Sequence, residues 1–198
     1  MTIGNERDLE GMRAAGRVVA QTLAAMCVGV EPGIATADLD DMGARVIQAA
    51  GGRSAPQLVY GFPGVNLISV NDEVVHGIPG SRRIEPGDVV KLDVTVELDG
   101  YIADAAETVV VPPASGLAVR LQRCTGAAFR KGMAATQVGR PVRVIGAAVE
   151  RKVRDCGFYV LRELSGHGVG RTIHDLRRFQ TMSPLPRTSV CRRERLSR

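Results

Sequence analysis

Lys91-Leu-Asp-Val-Thr-Val-Glu-Leu-Asp-Gly-Tyr-Ile-Ala-Asp104 reads as a strand, a turn and the strand that returns. Val90, Leu92, Val94, Val96 and Leu98 alternate with Lys91, Asp93, Thr95 and Glu97, which is the period of a strand with one apolar face. Asp99-Gly100 is a strong signal for a two-residue hairpin turn. If the turn is tight, residues whose numbers sum to 199 face each other: Thr95 opposite Asp104, and Asp93 opposite Ala106. Asp93, Thr95 and Asp104 then share one face. The two aspartates become diagonal neighbours, roughly 7–8 Å apart at the backbone. Carboxylates held that close repel unless a cation lies between them. A β-bulge would change the register. From the hairpin alone, two aspartates facing water are the plainer account.

Upstream, residues 5–28 set Leu9, Met12, Val19, Leu23 and Met26 at helical spacings. Glu31-Pro32-Gly33 ends that helix. Thr36 is placed to cap a second one, striped by Leu39, Met42, Val46 and Ile47 and stopped by Gly51-Gly52. Residues 54–111 turn to short β-branched runs broken by Gly, Pro and Asn, the pattern of hairpins. After Pro112-Pro113 come two more helical stretches, about 116–134 and 141–155. A strand near Tyr159–Leu164 and a glycine-rich segment, 165–171, follow. Gly33 to Gly51 spans the same interval as Gly139 to Gly157, and in that register Leu39 matches Ile145, Ile47 matches Val153 and Ala50 matches Cys156. A duplicated helix–helix–strand unit predicts a pseudo-twofold α+β fold. Strands of both halves would join in one sheet, and a site between the halves would draw residues from each.

Composition narrows the class. The chain has 198 residues, 44% hydrophobic and 24% charged, ordinary for a globular protein. No apolar run reaches the ~18 residues of a membrane span, and no signal peptide is read at the N-terminus. Four scattered cysteines without a CxxC pair read as free thiols of a reducing cytoplasm. Residues 175–198 hold seven Arg against Asp175 and Glu194, which accounts for the whole net charge of +5. Residues 1–174 are therefore neutral and give no electrostatic case for a nucleic-acid groove.

Three histidines complete the chemistry: His76 in Asn71-Asp-Glu-Val-Val-His-Gly-Ile-Pro79, His167 in Ser165-Gly-His-Gly-Val-Gly-Arg171, and His174. Each lies in or beside a glycine-rich segment, not on an apolar helix face. His with Asp suits a divalent ion such as Zn, Mn, Fe or Co. The helical His-Glu-x-x-His zinc motif is absent, and Gly166-His-Gly-Val-Gly is too short for a dinucleotide fingerprint.

Taken together, His-Gly-Ile-Pro, Lys-Leu-Asp-Val-Thr-Val with Asp eleven residues later, and Gly-His-Gly-Val-Gly-Arg-x-x-His resemble the type I methionine aminopeptidases over residues 1–174. The resemblance implies the pita-bread fold, with its second half incomplete here. It implies a pair of divalent metal ions held by Asp93, Asp104 and His167, with Asp104 bridging them. It gives His76 and His174 catalytic contacts to the substrate, and sets Phe62 and Leu67 where an apolar methionine pocket would be lined, although plain core packing explains those two equally well. The activity implied is metal-assisted hydrolysis that removes the initiator Met from nascent polypeptides, close to the ribosome. His174 would hydrogen-bond the developing oxyanion, and His76 would hold the peptide nitrogen.

The sequence leaves that pattern at Asp175. Two further glutamate ligands that the resemblance implies, one of them the general base, would fall beyond residue 198. Residues 175–198 are expected to be a disordered basic tail. One permitted back-translation of Asp175–Pro184, read two nucleotides on, gives Pro-Pro-Pro-Val-Pro-Asn-Tyr-Val-Ser, so a frameshift and a genuine basic interaction tail both stay open. Two other functional readings compete with an aminopeptidase impaired in this chain. One is an inactive pita-bread binding module for peptides or ribosomal partners. The other is a proline-specific peptidase, for whose usual additional N-terminal domain residues 1–50 leave no room.

Overall fold

The computed structural model describes residues 3–161 and 163–180. The chain begins with α1 (Glu6–Gly29), α2 (Thr36–Ala49), β1 (Arg53–Ser54), α3 (Ala55–Tyr60) and β2 (Leu67–Val70). It continues through β3 (Val89–Leu98), β4 (Tyr101–Val110), α4 (Gly116–Ala135), α5 (Arg143–Asp155), β5 (Ser165–Gly168) and β6 (Asp175–Gln180). β3 is central: β1 and β2 pair along one edge and β4 along the other, all antiparallel.

One face of this sheet carries the core. Val90, Leu92, Val94 and Val96 of β3 are each 0% exposed. They pack with Ala15, Val18, Val19 and Met26 of α1, Leu39 and Ile47 of α2, and Ile68 and Val70 of β2. Each Val, Leu, Ile and Met among them contributes roughly 1.5–3 kcal/mol relative to an exposed position. Gly11 of α1 is required by this contact, because a Cβ there would lie 2.2 Å from the Tyr101 ring. The opposite face of β3 stays clear of α1 and α2 and presents Lys91, Asp93, Thr95 and Glu97.

The duplication read from glycine spacing has a backbone signature. Gly33 and Gly139, between the helices of each pair, have φ of 95° and 83°; Gly51 and Gly157, after each pair, have 75° and 81°. All four are in the left-handed region that only glycine adopts freely. Ala50 and Cys156, matched in that register, both form the C-caps of their helices. The halves are not equally clad: α2 buries Leu39 and Ile47, whereas the one buried residue of α5 among the described residues is Gly146.

Several expectations change. The segment after Ser54 forms α3 rather than a hairpin. Ser54 Oγ accepts from Gln57 N, Pro56 lies in the first turn and Gly61 closes the helix at φ 63°; a serine cap, early proline and terminal glycine spell a helix start and stop. α2 begins one residue earlier than the Thr36 cap predicts, with Ala35 as N-cap and Asp38 accepting from the Ala35 amide. Thr36 instead binds the Gly80 loop, its hydroxyl donating to Gly80 O and accepting from Gly80 N. No strand forms over the described part of 159–164, where Tyr159 is 93% exposed. The strand starts at Ser165, where β6 supplies a partner.

β6 itself occupies 175–180, the first residues of the expected disordered tail, and pairs antiparallel with β5. Ladder hydrogen bonds use main-chain groups that every non-proline residue carries, so a tail rich in charge can still add to an open edge. Residues 181–198 of that tail lie outside the described residues. The single sheet expected from both halves is two ladders, β1–β4 and β5–β6. They are linked by a backbone hydrogen bond from Ile102 N to Gly170 O at 2.6 Å.

Leu92, fully buried at the centre of β3, is the side chain this fold can least spare. Leu92→Ala is expected to lose about 2–5 kcal/mol of unfolding free energy. Leu58→Ala on exposed α3 should stay within about 0.5 kcal/mol. Urea denaturation of the two variants checks this, and equal losses would contradict the assignment of β3 as the core strand.

Candidate active site

The turn between β3 and β4 sets the geometry. Asp99 and Gly100 both have positive φ, 52° and 80°, the conformation of a type I′ turn matched to strand twist. The ladder then runs without a bulge from Leu98↔Tyr101 to Val89↔Val110, every pair summing to 199. Thr95 faces Asp104 and donates from Oγ1 to Asp104 Oδ1 at 3.0 Å. Asp93 faces Ala106 on β4 and Leu67 on β2. Leu67, buried, therefore shares the face of Asp93, while Phe62 is half-buried in the chain between α3 and β2.

Burial raises the pKa of Asp93, the negative charge of Asp104 raises it further and Lys91 partly opposes; the result is about 7. A carboxyl with that value holds a proton part of the time near neutrality, chiefly because burial disfavours its charge and secondly because two acids share one face. Lys91 is itself turned aside, its Nζ donating to the carbonyl of Val74.

The second half brings the imidazoles. His167 on β5 places Nε2 3.6 Å from Asp104 Oδ2, and its Nδ1 lies 3.2 Å from Gly168 O. The His174 ring stands 4.3 Å from that of His167, centroid to centroid, and its Nδ1 is 2.7 Å from the hydroxyl of Tyr60. Ile173 explains why His174 arrives there: it is buried with Ala55 of α3 and Ile102 of β4, a small cluster that fastens the segment to the first half.

His76 is set differently. Its ring is exposed and makes no hydrogen bond among the described residues, and its backbone is left-handed, φ 60°. The loop that carries it is held along β2 by Ile68 N to Gly77 O at 2.9 Å and Gly77 N to Ser69 Oγ at 3.0 Å. A Cβ on Gly77 would fall 2.1 Å from the Ile68 carbonyl oxygen, so only glycine lets the loop approach this closely.

Sequence reasoning missed two residues. Tyr60 carried no signal, since its contact with His174 spans the two halves. Arg171 was quoted within the glycine-rich block but given no role. Its guanidinium stacks 3.6 Å above the Tyr101 ring, Nη1 donates to Gly100 O at 3.1 Å and Nη2 to Asp8 Oδ1 at 3.3 Å. Tyr101 also donates to Asp8 Oδ1, at 3.0 Å. Arg171 thus ties the His167–His174 segment to the hairpin turn and to the start of α1.

Asp93, Asp104 and His167 offer the oxygen and nitrogen donors that divalent ions take, and the hairpin register and the β5 segment bring them to one face. They do not close a ligand set by themselves. Among the described residues no three His, Cys, Asp or Glu side chains converge closely enough to hold an ion.

The model of metallopeptidase family M24 matches residues 10–192. The chain belongs to metallopeptidase family M24. Among M24 relatives, "Methionine aminopeptidase 2" of Bacillus subtilis is 40% identical over 176 residues, 88% of this chain and 71% of that protein. The crystal structure of methionine aminopeptidase from Rickettsia prowazekii superposes with a TM-score of 0.89 at 32% identity, over 96% of this chain and 77% of that one. These likenesses put the M24 chain among the methionine aminopeptidases and give it the pita-bread fold. Prolidase from Pyrococcus furiosus superposes at TM-score 0.78 with 19% identity, covering 89% of this chain and 51% of that one, and shares the fold alone.

Arg171→Ala should loosen this candidate site without unfolding the core. Amide hydrogen exchange over residues 165–173 is expected to quicken about tenfold while β3 keeps its protection. The anchor also has a pH sense. The Gly4 amide, the Tyr101 hydroxyl and Arg171 together hold the Asp8 carboxyl below its ordinary range. Its contribution is therefore present above the unfolded carboxylate pKa and is lost as pH falls through the lower folded value. Asp8→Asn should remove that acid-side dependence of exchange in 165–173; an unchanged pH profile would contradict the linkage.

Proposed function

We propose that the chain is a metal-dependent aminopeptidase that removes the N-terminal methionine from nascent polypeptides, using two divalent ions of the Co, Mn, Fe or Zn class. The observation that carries this reading is the half-buried Asp93–Asp104 pair on one face of the hairpin, faced by His167 from the other half of the molecule. Asp93, Asp104 and His167 would hold metal. When bound, the ions supply Lewis-acid polarisation of the scissile carbonyl. His174, oriented by Tyr60, would hydrogen-bond the oxygen that gains charge. His76, exposed on its pinned loop, would hold the peptide nitrogen. Leu67, beside Asp93, would line the methionine pocket with Phe62.

Work beside the ribosome and a cytoplasmic location belong to the same proposal; no helix among the described residues is long and apolar enough to cross a membrane. We also propose 1–174 as the catalytic-type domain and 175–198 as a distinct basic tail, although the family match running to residue 192 weighs against a sharp break.

The open ligand set among the described residues favours one second reading, a module that holds peptides without cutting them. It also sets the expected level of activity. General-base assistance is worth typically ~10²–10⁴-fold, and the donors described are Asp93, Asp104 and His167 alone, so the purified 198-residue chain is expected to bind Mn²⁺ or Co²⁺ weakly and cleave Met-Ala-Ser poorly. Asp104→Asn should abolish the metal heat in calorimetry. Robust cleavage would show the described donors to suffice. Metal-independent binding of Met-Ala-Ser without cleavage would favour the second reading.

A further inference from the structure

Away from the candidate site, α4 and α5 meet at two sulfurs. Cys124, in the middle of α4, is 4% exposed, and its thiol lies beside that of Cys156 at the C-cap of α5. Both thiols line one cavity of about 300 Å³. Its walls are otherwise Arg120, Arg123 and Lys152, with Ala127 and Phe158; among the described residues no acid lines it. The Arg120 guanidinium lies 5.7 Å from the centroid of the Phe158 ring, and the cap residue Cys156 is followed by left-handed Gly157. One thiol is thus buried and the other, half-buried, forms part of the cavity wall.

We infer that Cys124 and Cys156 form a redox-active dithiol whose co-reactant is a small acidic disulfide drawn into the cation-lined cavity. The chemistry balances in two exchanges. Cys156, as thiolate, attacks one sulfur of the small disulfide, forming a mixed disulfide and releasing one small thiolate. Cys124 gives up its proton and attacks Cys156 Sγ, closing the protein disulfide and releasing the second small thiolate. Two protein thiols are oxidised, one small disulfide is reduced to two thiols, and the protons leave with them.

The arrangement explains the division of labour. Burial first, then the neighbouring Cys156, push the Cys124 thiol up to about 11, against the opposing charge of Lys152. Cys124 is therefore a poor first nucleophile, since the thiolate is the attacking species, and it is placed as the resolving partner. Positive walls favour an acidic co-reactant over a cationic one, an effect that salt screens. The closed bridge would fasten α4 to α5, the helix pair of the less fully clad half.

The test uses the reduced, chelator-treated 198-residue chain. It is exposed in parallel to glutathione disulfide, which is acidic, to neutral hydroxyethyl disulfide and to cationic cystamine. Free thiols are then blocked with iodoacetamide and tryptic peptides are mapped by mass. The expected product is a Cys124–Cys156 bridge with Cys27 still alkylated. Glutathione disulfide should react about tenfold faster than cystamine at low salt, the gap closing as salt is raised. Cys124→Ala should stall at the mixed disulfide on Cys156. The mapping of the unsubstituted chain stands even if that variant does not fold. Three results would overturn the inference: Cys156 bridging to Cys27 or Cys191 as readily as to Cys124, cystamine reacting as fast as glutathione disulfide, or the same partner preference persisting in urea, where no cavity exists.

Discussion

The two-residue turn at Asp99-Gly100 locks β3 to β4 in a single register, and both the core and the candidate site hang on that register. Side chains of a strand alternate between faces, so a slip of one residue would turn Asp93 into the α1–α2 core and Val94 out of it. Four apolar side chains of β3, each fully buried, oppose that slip. The same burial that stabilises the fold therefore fixes Asp93 and Asp104 together on the other face. The site's acidity is a consequence of hydrophobic packing on the far side of one strand.

Placing two carboxylates on one face works against stability, and the rise of Asp93 to about 7 records that opposition. Neighbouring contacts limit it. Thr95 donates to Asp104, His167 stands within 3.6 Å of it, and Lys91 lies beside Asp93 although its ammonium is turned to Val74. Perturbed carboxyls in such a setting are typical of functional sites, and the metal chemistry proposed for the pair is of the kind that membership of metallopeptidase family M24 suggests. His167 and His174 reach this face only because Ile173 is buried against Ala55 and Ile102 and Arg171 clamps the hairpin turn. A two-half molecule needs such fasteners, since the backbone joins the β5 region to β4 by the Ile102–Gly170 bond rather than by a shared ladder.

The duplicated plan has diverged in its surfaces. Left-handed glycines recur at matching points of both halves, yet the first pair of helices covers a valine-rich strand and the second pair meets at thiols and cations. The halves thus share backbone conformation at these glycines, which adopt it without the cost a side chain would add, and differ in the side chains around them.

Local chemistry alone made much of this legible. The period of residues 90–98, the Asp99-Gly100 turn, the four glycines and the helix stripes of α1 and α2 each depend on neighbours in the chain, so register, helix pairs and the Asp93–Asp104 face followed from the sequence. Ser54, Pro56 and Gly61 spell the short helix α3, but the β-branched residues that follow it make the stretch read as strands. Long-range contacts decided the rest. Tyr60 meets His174, Arg171 meets Tyr101 and Asp8, Cys124 meets Cys156, and β6 extends an open edge, all across separations that no periodicity records. Side-chain pairs of that kind are set by how two packed halves close on each other, and only the tertiary structure fixes that closure.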